Sequence, residues 1–223
     1  MDREARALPF WSDDEVAAGV DRAVRHVQEG GVLAYPTETV YGFGGAIDTD
    51  AVARLVELKR RPPAKPFLLL VDSSEMIARL GLHLTRSASM LAARHWPGPL
   101  TLVLPGGDRR VPTRLRGPEG GVAVRWTSHP ALQRLIGALG DPLTSTSANL
   151  PGHPAAMAAS EVLQQWAAAI GRGTMLVLDG GRLAPSAPST VVDCTARVPR
   201  VIRPGAISAA VLRESTPDLV GDH

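Results

Sequence analysis

Apolar residues in this chain follow two patterns, a helical spacing and short continuous runs. Val16, Val20 and Val24 share one helical face, which predicts a helix that begins at a Ser12 cap and ends before Gly30. Similar spacing predicts helices at 51–61, 73–80, 85–96, 129–140 (capped by Ser128), 160–170 (capped by Ser160) and from 208 onward. Apolar runs predict strands at 31–36, 67–71, 100–104, 122–126, 175–179, 189–194 and 200–205, and at the start of 142–152.

The order of these elements predicts the fold class. Strands and helices alternate, but several strands follow one another directly, which favours an α/β fold with a twisted mixed β-sheet and packed helices over a regular doubly wound sheet. We expect a short tail at 1–11, one main domain at 12–213 and a second tail at 214–223. Residues 105–121 are rich in glycine and proline and hold four arginines, so they predict a mobile loop.

Composition narrows the possible classes of protein. Hydrophobic residues make up 44% of the 223 residues, enough for a sizeable core. No apolar stretch reaches the ~20 residues that span a bilayer, and the N-terminus lacks a signal-peptide core, so we expect a cytoplasmic protein without membrane contact. The single cysteine, Cys194, is predicted to be a buried structural thiol. The six histidines show no helical pair, and no metal site is predicted.

The positive charge is unevenly composed. The net charge is only +2, yet of 24 basic residues just two are lysines, Lys59 and Lys65, and both lie in "KRRPPAK" with Arg61. Lysine is a compact point charge suited to phosphate oxygens, so three cations around a rigid Pro-Pro turn favour a polyphosphate site. The alternatives are chance and a favourable interaction of cations with a helix C-terminus.

Hydroxyl residues gather where two strands end. "PTETVYG" places Thr39 after the strand at 31–36, and "TSTSAN" places Ser145, Ser147 and Asn149 after an apolar strand start. Hydroxyls and an amide suit phosphate or carboxylate oxygens. The same residues also suit ordinary turns, in which they bond the local backbone.

Two arginines and a serine complete the candidate set. Arg125 lies inside the strand "VAVRW", where it either forms an ion pair or holds a substrate carboxylate with a bidentate fork. Ser189 and Arg203 lie near the ends of late strands. The familiar catalytic motifs are missing, since Ile47 breaks the dinucleotide fingerprint and neither a Walker A loop nor a G-x-S-x-G elbow occurs.

These segments together resemble a known family. "YPTETVYGFG", "ELKRRPPAKP", "WPGPLTLVL", "VAVRWTSHP", "STSANLPG", "STVVDC" and "RVIRPG" stand in the order found in the YrdC-like threonylcarbamoyl-AMP synthases, over about residues 20–210. The resemblance is to the single-domain form, without the extra C-terminal domain. It implies a twisted sheet around a basic cavity and the conversion of L-threonine, bicarbonate and ATP, with Mg²⁺, into threonylcarbamoyl-AMP and pyrophosphate.

The resemblance also implies partners and residue roles. The product would pass to a tRNA threonylcarbamoyl transferase for t6A formation at adenosine 37, with tRNA contact possible. Carried over by matching motif, the catalytic residues are Lys59 and Arg61; the threonine-binding residues are Thr39, Arg125 (on the carboxylate), Ser145 and Ser189; and the ATP-binding residues are Lys59, Arg61, Lys65, Ser147, Asn149 and Arg203. Pro36 and Gly42 are expected to shape the pocket wall.

Three sites, four residues in all, depart from the pattern of longer family members. Lys65 stands where they often have asparagine, Leu70 where they often have histidine near threonine, and Ala187-Pro188 where they usually have Val-Glu. The contact from histidine to threonine is therefore missing. The change to Ala187-Pro188 directly precedes Ser189, so it bears most on the contact expected from Ser189.

Two other functions fit parts of the same sequence. A carbamoyl-adenylate-forming carbamoyltransferase module shares the fold but usually lies in a much longer chain. An RNA-binding protein would use the same basic cavity and the arginines at 109–116, but an aromatic content of 4% argues against base stacking on single strands.

Overall fold

The structure is a computed structural model that describes residues 7–60, 66–107 and 109–221. The strands in these residues are β1 (Ala7–Pro9), β2 (Val32–Tyr35), β3 (Gly42–Gly44), β4 (Leu68–Val71), β5 (Leu100–Leu104), β6 (Val122–Trp126), β7 (Leu143–Ser147), β8 (Met175–Asp179), β9 (Thr190–Asp193) and β10 (Arg200–Arg203). The helices are α1 (Asp13–Gln28), α2 (Thr49–Lys59), α3 (Ser74–Arg79), α4 (Arg86–His95), α5 (Pro130–Leu139), α6 (Ala159–Gln165), α7 (Ala167–Gly171) and α8 (Ala209–Ser215).

The chain divides into two compact units. Unit 1 comprises Met1–Pro62 with His129–Pro185, and unit 2 comprises Pro63–Ser128 with Ser186–His223. Each unit is therefore assembled from two separate stretches of sequence, so residues far apart in the chain meet within one unit.

Unit 1 is built on the strand order β1-β8-β2-β3-β7. β8 is parallel to both β1 and β2, whereas β3 is antiparallel to both β2 and β7. Helix α1 packs on α5 and on β1 and β2. The aromatic side chains of Phe10, Tyr35, Tyr41 and Phe43 are fully buried in this unit, where they supply much of the apolar core.

Unit 2 is built on the strand order β4-β6-β5-β9-β10. β4 is parallel to β6 and β5 is parallel to β9, while β5–β6 and β9–β10 are antiparallel. Cys194 follows β9 and is fully buried, as predicted for a structural thiol. Burial, with a smaller effect from Asp193, raises the pKa of Cys194 to about 12. The α/β class with a mixed sheet is thus confirmed in each unit, while the basic cavity stays a prediction.

Two predicted helix starts are wrong. Ser12 forms a complete capping box with Glu15, as predicted. Helix α5, however, begins after His129 with Pro130 in its first turn, where proline's fixed φ and missing N–H are tolerated, so Ser128 is not its cap. The segment predicted as one helix from Ser160 begins at Ala159 and is interrupted at Trp166, whose φ of −116° separates α6 from α7.

Regular structure extends beyond both predicted domain boundaries. β1 lies inside the predicted tail at 1–11, and its Ala7 pairs with Val177 of β8. At the other end α8 runs to Ser215, and Val220 forms a bridge with Arg200. The boundaries at 12 and 213 stay predictions. None of the helices seen in the described ranges has the length and apolar character that crossing a bilayer requires, and the cytoplasmic location stays a prediction.

Candidate functional site

The threonine turn after β2 is closed by its own hydroxyl. Thr37 Oγ1 accepts from the backbone N–H of Thr39 at 3.0 Å and of Val40 at 3.1 Å, and it donates to Val40 O at 2.7 Å. Its oxygen also lies 3.0 Å from Thr39 Oγ1, and both side chains are buried. The local-turn interpretation therefore accounts for Thr37, while Thr39 is held in place by it.

Glycine lets two strands approach closely beside this turn. A Cβ on Gly44 of β3 would lie 1.7 Å from Thr144 O of β7, which no other residue could tolerate. Thr144 Oγ1 in turn accepts from Gly45 N and donates to Gly45 O, each at 2.9 Å. Strand β3 was not predicted, because "GFG" lacks the β-branched residues that signal strands.

Lys59 is the last residue of α2, and its ammonium is surrounded by oxygens of the β7 end. The residue is 4% exposed. Its Nζ donates to Ser147 O at 2.7 Å, to Asn149 O at 2.5 Å and to Asn149 Oδ1 at 2.6 Å. It also lies 5.9 Å from the ring centre of Phe43. A buried ammonium has three donors, and these oxygens compensate for its removal from water.

Ser147 and Asn149 belong to the same cluster. Ser147 Oγ donates to Asn149 Oδ1 at 2.7 Å, and Asn149 Nδ2 donates to His153 O at 2.6 Å. Ser145, two residues before Ser147 in β7, is 7% exposed. The structure thus brings together Lys59, Ser147 and Asn149, three residues predicted to bind ATP. Arg61 and Lys65 lie outside the described residues.

Unit 2 holds a second cluster, which contains two arginines. Arg125 in β6 is 4% exposed, and its Nε donates to Gly98 O at 3.3 Å. Gly98 N donates to Trp126 O at 2.8 Å, which fixes that loop against β6. Arg203 at the end of β10 donates from Nη2 to Ser189 O at 2.7 Å and to Ser189 Oγ at 3.0 Å. Arg203 was predicted to bind ATP, and here it contacts a residue predicted to bind threonine.

The electrostatics of this cluster favour an anion. Burial lowers the pKa of Arg203, and the nearby positive charge of Arg125 lowers it further. The charged form of Arg203 is therefore disfavoured by its surroundings, and an anion such as a carboxylate that binds beside it would stabilise that charge.

The residues before and after Ser189 both contact the segment at 205–207. Thr190 Oγ1 donates to Ile207 O at 2.7 Å and accepts from Ile207 N at 3.0 Å. A Cβ on Gly205 would lie 2.3 Å from Pro188 O, so glycine is required for this close approach. With proline at position 188, the carbonyl of Pro188 still accepts from Ala206 N, and Ser189 contacts Arg203 and Thr101.

Leu70 and Thr101 flank Arg125 in the sheet of unit 2. Leu70 of β4 pairs with Arg125 and is 1% exposed, so a buried apolar side chain occupies the position where longer family members often have histidine. Thr101 of β5 is 1% exposed, and its Oγ1 lies 2.9 Å from Ser189 Oγ. Sequence reasoning missed Thr101, although a hydroxyl within the aliphatic run "LTLVL" was a visible signal.

The arginine-rich loop is folded around one of its own arginines. Arg116 donates to Gly106 O at 3.0 Å and to Gly120 O at 2.9 Å, and Leu115 beside it is fully buried. A short 3₁₀ helix spans Thr113–Leu115. These contacts give residues 105–107 and 109–121 a defined fold, and the mobility of the loop stays a prediction.

Two hydroxyl-and-cation clusters on mixed sheets define an α/β protein suited to anionic ligands. The family model Sua5_yciO_yrdC, whose description reads "Telomere recombination", matches residues 25–205. The chain therefore belongs to the Sua5/YciO/YrdC family, as the resemblance predicted.

Curated relatives and solved structures agree with this assignment. The threonylcarbamoyl-AMP synthase of Pyrococcus abyssi is 38% identical over 83% of the chain, which spans 53% of that protein. The threonylcarbamoyl-AMP synthase of Vibrio parahaemolyticus is 37% identical, with 83% of the chain and 98% of that protein covered. The crystal structure of P. abyssi Sua5 complexed with L-threonine has a TM-score of 0.82 and 34% identity, over 90% of the chain and 58% of Sua5. The chain thus spans about half the length of the P. abyssi protein and nearly all of the Vibrio one.

Proposed function

We propose that this protein is an L-threonylcarbamoyladenylate synthase, an enzyme of the nucleotidyltransferase class. The observation that carries the proposal is the cluster of Arg125, Ser189 and Arg203, which lies within the family match in a chain similar to a Sua5 solved with L-threonine. The names of the relatives support the same activity.

The proposed reaction needs positioning and charge neutralisation more than a protein nucleophile. The amine of L-threonine captures carbon dioxide from bicarbonate to give a carbamate. A carbamate oxygen then attacks the α-phosphorus of ATP, the bond to the β-phosphate oxygen breaks, and pyrophosphate leaves. Preorganised donors and cations lower the barrier by stabilising the charge that builds up on the phosphoryl oxygens.

The cluster of unit 2 is proposed to bind L-threonine. Arg125 would pair with the α-carboxylate, since a buried guanidinium matches a carboxylate in geometry and charge. Ser189 would donate its hydroxyl to the same carboxylate. Thr39 and Ser145, both buried hydroxyl residues of unit 1, are proposed to contribute to threonine binding as well.

The cluster of unit 1 is proposed to bind the phosphates of ATP. Lys59 donates to three oxygens in the structure, so phosphate oxygens would replace some of these acceptors when ATP binds. Ser147 and Asn149 supply a hydroxyl and an amide beside the ammonium. Arg61 and Lys65 are proposed to join them. Arg203 is also proposed as an ATP-binding residue.

Magnesium is proposed to enter with ATP as its phosphate complex. Among the residues that the structure describes, no group of three carboxylate, histidine or cysteine side chains is placed to hold a metal ion. Mg²⁺ readily takes its ligands from substrate phosphates and water, with few from protein. We further propose that the product supplies a tRNA threonylcarbamoyl transferase that forms t6A at adenosine 37.

Pyrophosphate release by the purified protein tests this function. We expect release from Mg²⁺-ATP only when L-threonine and bicarbonate are both present, and without tRNA. Each of these is omitted in turn, and carbamoyl phosphate replaces both in a separate reaction. Release that does not require threonine, or that requires carbamoyl phosphate, would contradict the proposal and favour carbamoyl transfer; salt-sensitive RNA binding with no release would favour an RNA-binding role.

A further inference from the structure

Thr101 occupies the position between the two strands that carry the unit 2 cluster. β5 pairs with β6 so that Leu102 lies opposite Val124, and the same register places Thr101 opposite Arg125. Residues opposite each other on antiparallel strands share one face of the sheet. On its other side Thr101 Oγ1 lies 2.9 Å from Ser189 Oγ, and both side chains are at most 2% exposed.

The direction of the hydrogen bonds around Ser189 can be worked out from its partners. Arg203 Nη2 lies 3.0 Å from Ser189 Oγ, and a guanidinium only donates, so Ser189 is the acceptor in that bond. A hydroxyl oxygen accepts two hydrogen bonds and donates one. If Thr101 also donates to Ser189, both acceptor positions are filled and the Ser189 proton points elsewhere, toward a ligand.

We infer that Thr101 is a positioning residue for substrate: it donates to Ser189 and thereby directs the Ser189 hydroxyl proton at the α-carboxylate of L-threonine. A carboxylate can only accept, so a serine held as a donor binds it better than one whose proton is turned inward. This inference rests on the proposed function and adds to it a residue that acts through Ser189.

Thr190 shows what a purely structural threonine does in the same unit. Its hydroxyl bonds the backbone N–H and C=O of Ile207, which links the start of β9 to the segment before α8. The hydroxyl of Thr101 instead contacts a side-chain hydroxyl proposed to touch substrate. Its role is therefore expected to appear in substrate binding more than in stability.

The test compares Thr101→Val with Thr101→Ser in the pyrophosphate assay. Thr101→Val keeps the shape and removes the hydroxyl, so we expect the KM for L-threonine to rise about three- to tenfold, the range for one hydrogen bond, with kcat and the KM for ATP within about twofold. Thr101→Ser restores the KM for threonine. Thr216→Val, at a buried threonine of the same unit, is the matched control and leaves both KM values unchanged.

A double-mutant cycle with Ser189→Ala separates positioning from general structure. If Thr101 acts through Ser189, Thr101→Val has no further effect on the KM for threonine once the Ser189 hydroxyl is gone. Independent effects that multiply, or an equal rise of both KM values with a lowered melting temperature, would overturn the inference. If Thr101→Val does not fold, the test uses Thr101→Cys instead. Cysteine is similar in size to threonine, but its thiol is only a weak hydrogen-bond donor.

The wild-type protein shows whether a failed prediction concerns the proposed function or only the role of Thr101. Absence of threonine-dependent pyrophosphate release overturns the proposed function and the role of Thr101 with it. Normal wild-type release with an unaltered KM for threonine in Thr101→Val overturns the role of Thr101 alone.

Discussion

The two clusters hold their positive charge in contrasting ways. In unit 1 the ammonium of Lys59 is surrounded by three oxygens of Ser147 and Asn149, so its charge is compensated and it also orders the chain after β7. In unit 2 burial lowers the pKa of Arg203, and the positive charge of Arg125 lowers it further. A compensated cation has a structural role before ligand arrives, whereas a cation disfavoured by burial and by a neighbouring like charge is stabilised when an anionic ligand binds.

The largest effect is expected for Lys59→Met. This change keeps much of the apolar stem but removes the ammonium, so we expect kcat/KM for ATP to fall about 1,000-fold, equal to about 4 kcal/mol. The oxygens of Ser147 and Asn149 would lose their donor, at about 1–3 kcal/mol each, so the melting temperature should fall as well. Steady-state kinetics and thermal unfolding check the two parts.

Arg54→Met is the control for Lys59. Arg54 lies on the same helix, is exposed, and donates to Gly30 O. We expect its substitution to leave ATP kinetics unchanged. A Lys59→Met protein with wild-type ATP kinetics would remove the polyphosphate role and leave Lys59 as a structural residue.

A smaller effect, confined to one substrate, is expected for Arg125→Met. Loss of a buried guanidinium should raise the KM for L-threonine about 100-fold, equal to about 2.7 kcal/mol, with the KM for ATP within about twofold. Arg94→Met, at an exposed arginine of the same unit that pairs with Glu214, is the matched control. A rise in the KM for ATP alone would mean that the carboxylate is bound elsewhere.

The smallest effect is a dependence of stability on pH that comes mainly from unit 1. Burial lowers the pKa of His26 and of His129 below the usual value of 6.5. In unit 2, burial lowers the pKa of His95, with the charge of Arg94 adding to it. Below pH 6.5 the unfolded chain takes up protons before these buried imidazoles do, so stability is full above that pH and falls toward the folded pKa values.

Thermal unfolding from pH 7.5 to pH 5 checks this dependence. We expect the melting temperature to fall with pH, by about 2–4 °C for each kcal/mol lost. The double variant His26→Gln, His129→Gln should show a flatter profile, whereas His153→Gln, at an exposed histidine, should not. A double variant with the wild-type slope would place the acid sensitivity in other groups.

The sequence predicted several residues that the structure brings together, but it did not predict the hydrogen bonds that hold them in place. Lys59, Ser147 and Asn149 were chosen from separate motifs, and the structure places them in contact, because strand ends that carry hydroxyls converge with the end of a neighbouring helix. The three acceptors around Lys59 could not be predicted, since two of them are backbone carbonyls, whose direction depends on the path of the chain.

The errors at helix starts have a similar physical origin. Ser128 and Ser160 carry good capping side chains, but Pro130 sets one start, and packing around Trp166 accompanies a break in the other segment. Strand β3 forms because Gly44 permits close approach to Thr144, a tertiary reason that local propensity does not contain. Thr101 was missed because its partner Ser189 is distant in sequence and adjacent only in the sheet.

The buried thiol of Cys194 gives unit 2 an internal probe of its own opening. With a pKa of about 12 and no exposed surface, it is neither ionised nor reachable near neutral pH while β9 stays in place. A thiol reagent would therefore label the protein only when local unfolding exposes this strand. The labelling rate, followed with and without L-threonine, then measures how much the ligand slows those openings, without any engineered tag or second cysteine to confuse the signal.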